Sequence, residues 1–192
     1  IEILPPDLNR SQLRFAPEEL SSGKMAIRYG LAAIKNVGEG AMAQAIAERE
    51  LNGSFPTMDD FTNRQDSKVV NKRILEKLVL SGAMDWTGET RAGMHARVEE
   101  VTAAASAAQR DRESGQVALF ADEELAAPAA RKQIPEWPKD ERLEKEKELL
   151  GYYVTGHPLD KYRSLLNSDR FCKLGLLDDL DIGDRRARFP VS

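Results

Sequence analysis

Apolar residues recur through the middle of the chain at helical rather than strand spacing. Leu31, Ile34 and Val37 fall three apart and predict one face of a short helix, while Ala41, Ala45 and Ile46 continue a stripe on a second helix. Between them stand Gly38, Glu39 and Gly40, suited to a tight link because glycine tolerates backbone conformations that other residues resist. The arrangement repeats more loosely downstream. Ile74, Leu75, Leu78 and Val79 make an apolar face, Ser81-Gly82-Ala83 interrupts it, and Met94, Val98 and Val101 predict the next helix. Two helix, tight hairpin, helix units in tandem are expected within residues 30–112.

The flanks differ in kind. Residues 1–29 carry Pro5-Pro6, Pro17 and Ser21-Ser22-Gly23, which suit extended segments and turns. Residues 113–138 are rich in Ala, Glu and Pro with one isolated apolar cluster, the pattern of a linker. Residues 139–192 resume helical periodicity in "KDERLEKEKELL", break at "GHP" and close with "KYRSLLN" and "LGLLDDL". The expected fold is mainly α: a tandem helix-hairpin-helix domain with flanking extended segments and a helical C-terminal connector.

Composition narrows the function classes. With 41% hydrophobic and 31% charged residues among 192, a core of moderate size is expected. No apolar run reaches eighteen residues and no signal-like start is present, so the chain reads as a soluble, cytoplasmic protein with no membrane partner. It starts at Ile1 without an initiator methionine, which reads as a piece of something longer. Cys172 is the lone cysteine, without metal-ligand spacing, and reads as a small hydrophobe. The net charge of −4 gives no global basic field, so any contact with nucleic acid has to come from a local basic face or from backbone groups.

Three readings compete for the glycines. "GEGAMA" formally matches the GxGxxA of dinucleotide-binding folds, with Asp59 about 20 residues on, but "LAAIKN" has helical spacing and "NGSFPTMDDF" is a turn rather than a strand. A helical hairpin with no ligand explains the same residues. So does an anion grip, because the first amides of a helix have no intrahelical partner and favour an anionic oxygen.

"IRYGLAAIKNVGEGAMAQAI", "FPTMDDFTNR", "VNKRILEKLVLSGAMD", "GQVALF" and "KELLGYYVTGHPLD", in this order, resemble the C-family replicative polymerases, the alpha subunits of bacterial DNA polymerase III. The resemblance runs from "LPPDLNRS" to Asp160 at least. It implies that residues 1–29 end a fingers region, that a tandem helix-hairpin-helix domain holds duplex DNA, that a clamp-binding segment follows, and that residues 139–192 lead towards an OB domain. Lys35, Val37, Gly38, Glu39, Gly40 and Ala41 then become the phosphate-gripping hairpin, with Ser81, Gly82 and Ala83 as its second copy. Lys68, Lys72, Arg73 and Lys77 surround the approach to that copy, although a solvated helical face explains such lysines equally well. Glu39 is expected to point away from the DNA, where its charge would oppose binding.

"QVALF", Gln116 to Phe120, is a polar anchor with an apolar pair in an otherwise polar segment. It resembles the family's internal motif for the sliding clamp, the beta subunit. Leu119 and Phe120 would fill an apolar pocket, Gln116 would hydrogen-bond at its rim, and Val117 and Ala118 would lie between. The other reading packs Leu119 and Phe120 back on the helical domain. The resemblance also implies other replicase subunits as partners of the whole protein. Phosphoryl transfer there depends on carboxylates holding two magnesium ions in a palm region outside this stretch, which itself needs no cofactor and no catalytic residue. His95 and His157 have no paired acid or nucleophile at known spacing and read as structural. The alternative from another class is a helix-hairpin-helix piece of a repair glycosylase or ligase, and a third is a structural spacer. A glycosylase would want an aromatic pocket after its hairpin, and only 6% of the chain is aromatic.

Overall fold

The computed structural model describes residues 1–114 and 134–166. Two compact units divide the chain at His157/Pro158. The first begins with a small sheet of β1 (Glu2–Leu4), β2 (Ala16–Glu19) and β3 (Met25–Arg28), in the order β1-β3-β2. β1 runs parallel to β3 and β2 antiparallel to it. The Ser21-Ser22-Gly23 stretch forms the β2–β3 turn, with Gly23 at φ 76° and its amide donating to Leu20 O at 2.8 Å. Pro17 is tolerated because β2 is an edge strand, where a missing donor faces outward. Across the sheet the Arg28 guanidinium grips Glu18 through Nε at 2.6 Å and Nη2 at 2.7 Å.

Helices follow: α1 (Glu39–Asn52), α2 (Met58–Arg64), α3 (Lys72–Leu80), α4 (Arg91–Glu113) and α5 (Lys139–Leu150). The expected first helix is shorter than its spacing suggests, a 3-10 turn over Leu31–Ala33, yet Leu31, Ile34 and Val37 are all buried as predicted. α1 buries Ala41, Met42, Ala45, Ile46 and Arg49 on one face. Arg49 is drawn inward because Nη1 reaches the carbonyls of Leu8 and Ser11 at 2.7 and 2.9 Å. Short helices gain their ends from side chains: Thr57 caps α2 at Asp60 N, and Asn71 caps α3 at Ile74 N. Leu75, Leu78, Val79, Met94, Val98 and Val101, the second predicted stripe, lie in the same core as the first.

The chain from 134 to 157 belongs to this unit as well, so the connector expected from residue 139 onward starts as part of the helical domain. Leu143, Leu149 and Leu150 of α5 are buried, and Leu149 O accepts the amide of Lys35 at 3.0 Å. Of the second unit, the described part is a 3-10 turn, Pro158–Tyr162, running into one helical turn, α6 (Arg163–Leu166).

At the centre lies an ion-paired cluster. Arg91, 2% exposed, donates from Nε and Nη2 to the two oxygens of Asp85 at 2.8 and 2.6 Å and from Nη1 to Glu146 at 3.3 Å. Glu146, 0% exposed, also accepts the amides of Val154 and Thr155 at 2.8 Å each and the Thr155 hydroxyl at 2.7 Å. A buried charge left without its partner is costly. Glu146→Ala is therefore expected to destabilise the protein by about 3–5 kcal/mol, read as a lowered midpoint in urea unfolding. Glu144→Ala on the exposed face of the same helix is expected to stay within about 0.5 kcal/mol.

Candidate nucleic-acid interface

The first hairpin presents backbone to solvent. After the 3-10 turn, Asn36 takes φ 61°, so the left-handed residue of the turn is an asparagine and not either neighbouring glycine. Asparagine is among the few side chains that adopt this region readily, a signal present in "IKNVGEG" that the glycine pattern overshadowed. Gly38 is the N-cap of α1 with an ordinary extended conformation, φ −70° and ψ 133°, and no side chain caps the helix. The first hydrogen bond along α1 runs from Met42 N to Gly38 O at 3.2 Å. That leaves the amides of Glu39, Gly40 and Ala41 at the positive end of the helix with no intrahelical acceptor.

Neither glycine is required by the fold. A Cβ built at Gly38 or Gly40 meets nothing within 4 Å, so what these residues provide is a bare surface over the free amides. Lys35 and Glu39 are exposed on either side, whereas the side chains of Val37 and Ala41 are 6% and 7% exposed and turn into the core. Those two can offer only backbone to a ligand. The hairpin is tied to the rest of the unit, since Tyr29 Oη shares its one proton between Ala33 O and Leu150 O, each at 3.1 Å, and Lys35 N is bound to Leu149 O.

The second turn departs from the expected open copy. α3 ends in a Schellman motif, with Ala83 N bonded to Leu78 O at 3.0 Å and Gly82 N to Val79 O at 3.1 Å, and Gly82 at φ 82°. Ser81 and Ala83 are fully buried, Ser81 Oγ donates to Leu78 O, and Ala83 O accepts from Leu8 N and the Trp86 indole. A Cβ at Gly82 would collide with the Arg91 guanidinium. Gly82 thus makes room for the ion-paired cluster, and Ser81 and Ala83 are buried beside it in the chain and not presented to solvent.

The N-terminus of α4 is filled from within. Thr90 Oγ1 accepts from Gly93 N at 3.0 Å, and the Glu136 carboxylate accepts from Arg91 N at 2.9 Å and Ala92 N at 3.1 Å. Sequence periodicity gave no hint of Glu136, because its partners lie more than forty residues away. Burial by itself would raise the Glu136 carboxyl, but bonds from the amides of Arg91, Trp137 and Ala92 outweigh it and hold the group below its ordinary value of 4.5.

Lys68, Lys72 and Arg73 come together at the start of α3, all exposed. Lys72 makes an ion pair with Glu99 at 2.8 Å, and Lys68 donates its amide to Asp66. Lys72 and Arg73 occupy the first turn of a helix that has no acidic residue there, the end where cations are unfavourable. Lys77 lies one turn further on and is half-buried. Gln116, Val117, Ala118, Leu119 and Phe120 lie outside the described residues, as does Cys172. His95 packs against Trp137 and His157 against Tyr153, at centroid separations of 5.5 and 5.2 Å. Among the described residues no group of three or more His, Cys, Asp or Glu side chains could hold a metal ion, and no helix is long and apolar enough to cross a membrane.

Residues 1–94, which hold the sheet, the open hairpin and the start of α4, match the helix-hairpin-helix motif family. A DNA polymerase III subunit alpha from Vibrio cholerae is 41% identical over 179 residues, 91% of this chain and 15% of that protein. The chain belongs to the DNA polymerase III alpha subunit family. Further members with the same name, from Borreliella burgdorferi and Deinococcus radiodurans, are 37% and 36% identical over 94% and 93% of the chain, covering 15% and 13% of their own lengths. The chain thus spans about one-seventh of the alpha subunits that it matches.

Two stability outcomes separate the open helix end from the filled one. Gly40→Ala is expected to raise stability by up to about 1 kcal/mol, because the added methyl meets open space and the backbone loses less entropy on folding. Glu136→Gln is expected to lower it by about 1 kcal/mol near neutral pH, by weakening charge-assisted cap bonds. A depressed folded-state value means that the ionised Glu136 contributes above its unfolded value near 4.5 and that the contribution is lost as pH falls through the folded value. The gap between wild type and Glu136→Gln in thermal melts should accordingly close on acidification below 4.5.

Proposed function

We propose that this chain is a non-catalytic part of a replicative DNA polymerase and holds duplex DNA by its phosphate backbone, without reading sequence. The observation that carries the reading is the uncapped start of α1, where Gly38 and Gly40 leave the first helical amides bare and uncovered. A phosphate oxygen is the ligand such amides suit, since it needs donors and a positive helix end and no base contact. The exposed Lys68, before α3, and Arg73, in its first turn where the helix dipole opposes a cation, gain an anionic counterpart on the same reading, while Lys72 already has Glu99. Lys35 beside the hairpin adds to it. Ser81, Gly82 and Ala83 take no part, because they are committed to the core.

The same reading places nucleotidyl transfer, its magnesium ions, the other replicase subunits and a cytoplasmic location with the whole protein. Its second half assigns "QVALF" to the sliding clamp, supported by the order of motifs along the chain and by the lack of an apolar neighbourhood for Leu119 and Phe120 in the surrounding sequence.

Duplex of any sequence is expected to bind with a Kd on the order of 10⁻⁵ M near physiological salt, weakening steeply as salt rises. The double variant Gly38→Val with Gly40→Val should lose at least about tenfold in affinity while keeping its helicity, because the added side chains block the amides from outside. Titration of labelled duplexes at several salt concentrations checks both, and sequence-selective or salt-insensitive binding would sink the reading.

For the clamp, Leu119→Ala and Phe120→Ala should each cost about 1–3 kcal/mol of binding and Val117→Ala much less. Calorimetry with a cognate clamp reads this directly. A Phe120→Ala protein that melts early yet binds the clamp unchanged would mean that the motif packs into the core.

A further inference from the structure

Three aromatic rings line up behind the open hairpin. Tyr29, 2% exposed, is fixed by its hydroxyl bonds to Ala33 O and Leu150 O. Phe15 packs against it at a centroid separation of 4.6 Å and Tyr152 at 5.9 Å, both tilted. The outer two rings are open to solvent, Phe15 at 46% and Tyr152 at 36% exposure. Gly30 makes the placement possible, since any side chain there would overlap the backbone of Arg14 and Phe15. The group therefore has one buried, hydrogen-bonded ring and two exposed ones, with Phe15 brought close by backbone packing at Gly30.

We infer that Phe15, Tyr29 and Tyr152 form a stacking platform for an unpaired nucleobase next to the hairpin grip. The occupant follows from what borders the rings. Arg14 directly precedes Phe15 and is exposed, and Lys35, also exposed, is joined by its amide to Leu149, three residues before Tyr152. Exposed aromatic rings with exposed cations on the adjoining stretches of chain suit a nucleotide, which couples a π-face to a phosphate, and any base can stack. The platform borrows its place from the duplex-binding reading, because Tyr29 anchors the base of the same hairpin through Ala33 O.

The test uses the 192-residue chain, a blunt duplex, the same duplex with a four-nucleotide single-stranded overhang, and the overhang strand alone, with 2-aminopurine in the unpaired stretch. The overhang is expected to raise affinity about five- to tenfold over the blunt duplex and to quench the 2-aminopurine. The double variant Phe15→Leu with Tyr152→Leu, which keeps apolar volume but removes the outer rings, should lose that gain and the quench. Its blunt-duplex affinity should stay within about twofold of wild type, and an unchanged melting temperature shows that it folds. Equal binding of blunt and overhang duplexes, as a protein-docking surface would give, overturns the proposal, and so does a gain that survives in the variant. Failure of the blunt duplex to bind tells against the hairpin grip alone, and quenching on the single strand then decides the platform.

Discussion

A guanidinium with almost no contact with water has to be met by carboxylates, and that requirement organises this domain. Arg91 opens α4, Asp85 lies in the turn before it, and Glu146 comes from α5, fifty-five residues further on. The buried charges of Arg91 and Glu146 depend on each other, because the low-dielectric interior makes an unpaired ion far more costly than a lost surface bridge, while Asp85 meets the guanidinium from a half-exposed position. Glu146 then spends its remaining acceptor capacity on the amides of Val154 and Thr155, which fixes the course of the chain after α5. Through this one cluster the turn after α3, the start of α4 and the end of α5 form a single body. The absence of a side chain at Gly82 follows from it too, since the guanidinium occupies that space.

That arrangement gives the two helix-turn-helix units different fates. At the second, the amides that a helix start leaves free are taken by Thr90 and Glu136, and the turn before them is sealed by Arg91. At the first, the helix start has no cap and its glycines face open space. Both turns rest on the same scaffold, because α5 supports the first hairpin at Leu149 and Leu150 and the cluster at Glu146. A rigid support behind a bare helix terminus is what a phosphate grip needs, since donors that are already positioned cost little entropy when a ligand arrives.

Charge is distributed in keeping with that division. Overall the chain is acidic, and many of its arginines are engaged: Arg28 with Glu18, Arg64 with Glu48 and Asp60, Arg97 with Asp59 and Glu89. Exposed cations also stand at the start of α3, where Lys72 pairs with Glu99 and Arg73 faces the unfavourable end of the helix dipole, and at Lys35 by the hairpin. A protein with no global basic field can in this way still present local positive ends, each made by backbone geometry plus one or a few side chains.

Local spacing was enough to pick out part of the core. It identified Leu31, Ile34 and Val37, then Ala41, Ala45 and Ile46, then Ile74, Leu75, Leu78 and Val79, and Met94, Val98 and Val101, and apart from the partly buried Ile74 the core holds them. The sequence by itself also determined where the chain turns, because Pro and Gly act on local backbone freedom, and the ordered motifs were enough to reach the family. What it could not determine was which turn faces outward. Gly38 and Gly82 look alike in a list of residues, yet one has open space above it and the other an arginine from nine positions later. The cap supplied by Glu136 and the meeting of Phe15, Tyr29 and Tyr152 were hidden for the same reason. Periodicity reports neighbours within a few residues, whereas burial of a charge, occupancy of a helix end and stacking of rings are decided by partners from distant parts of the chain, which only the tertiary fold brings within reach.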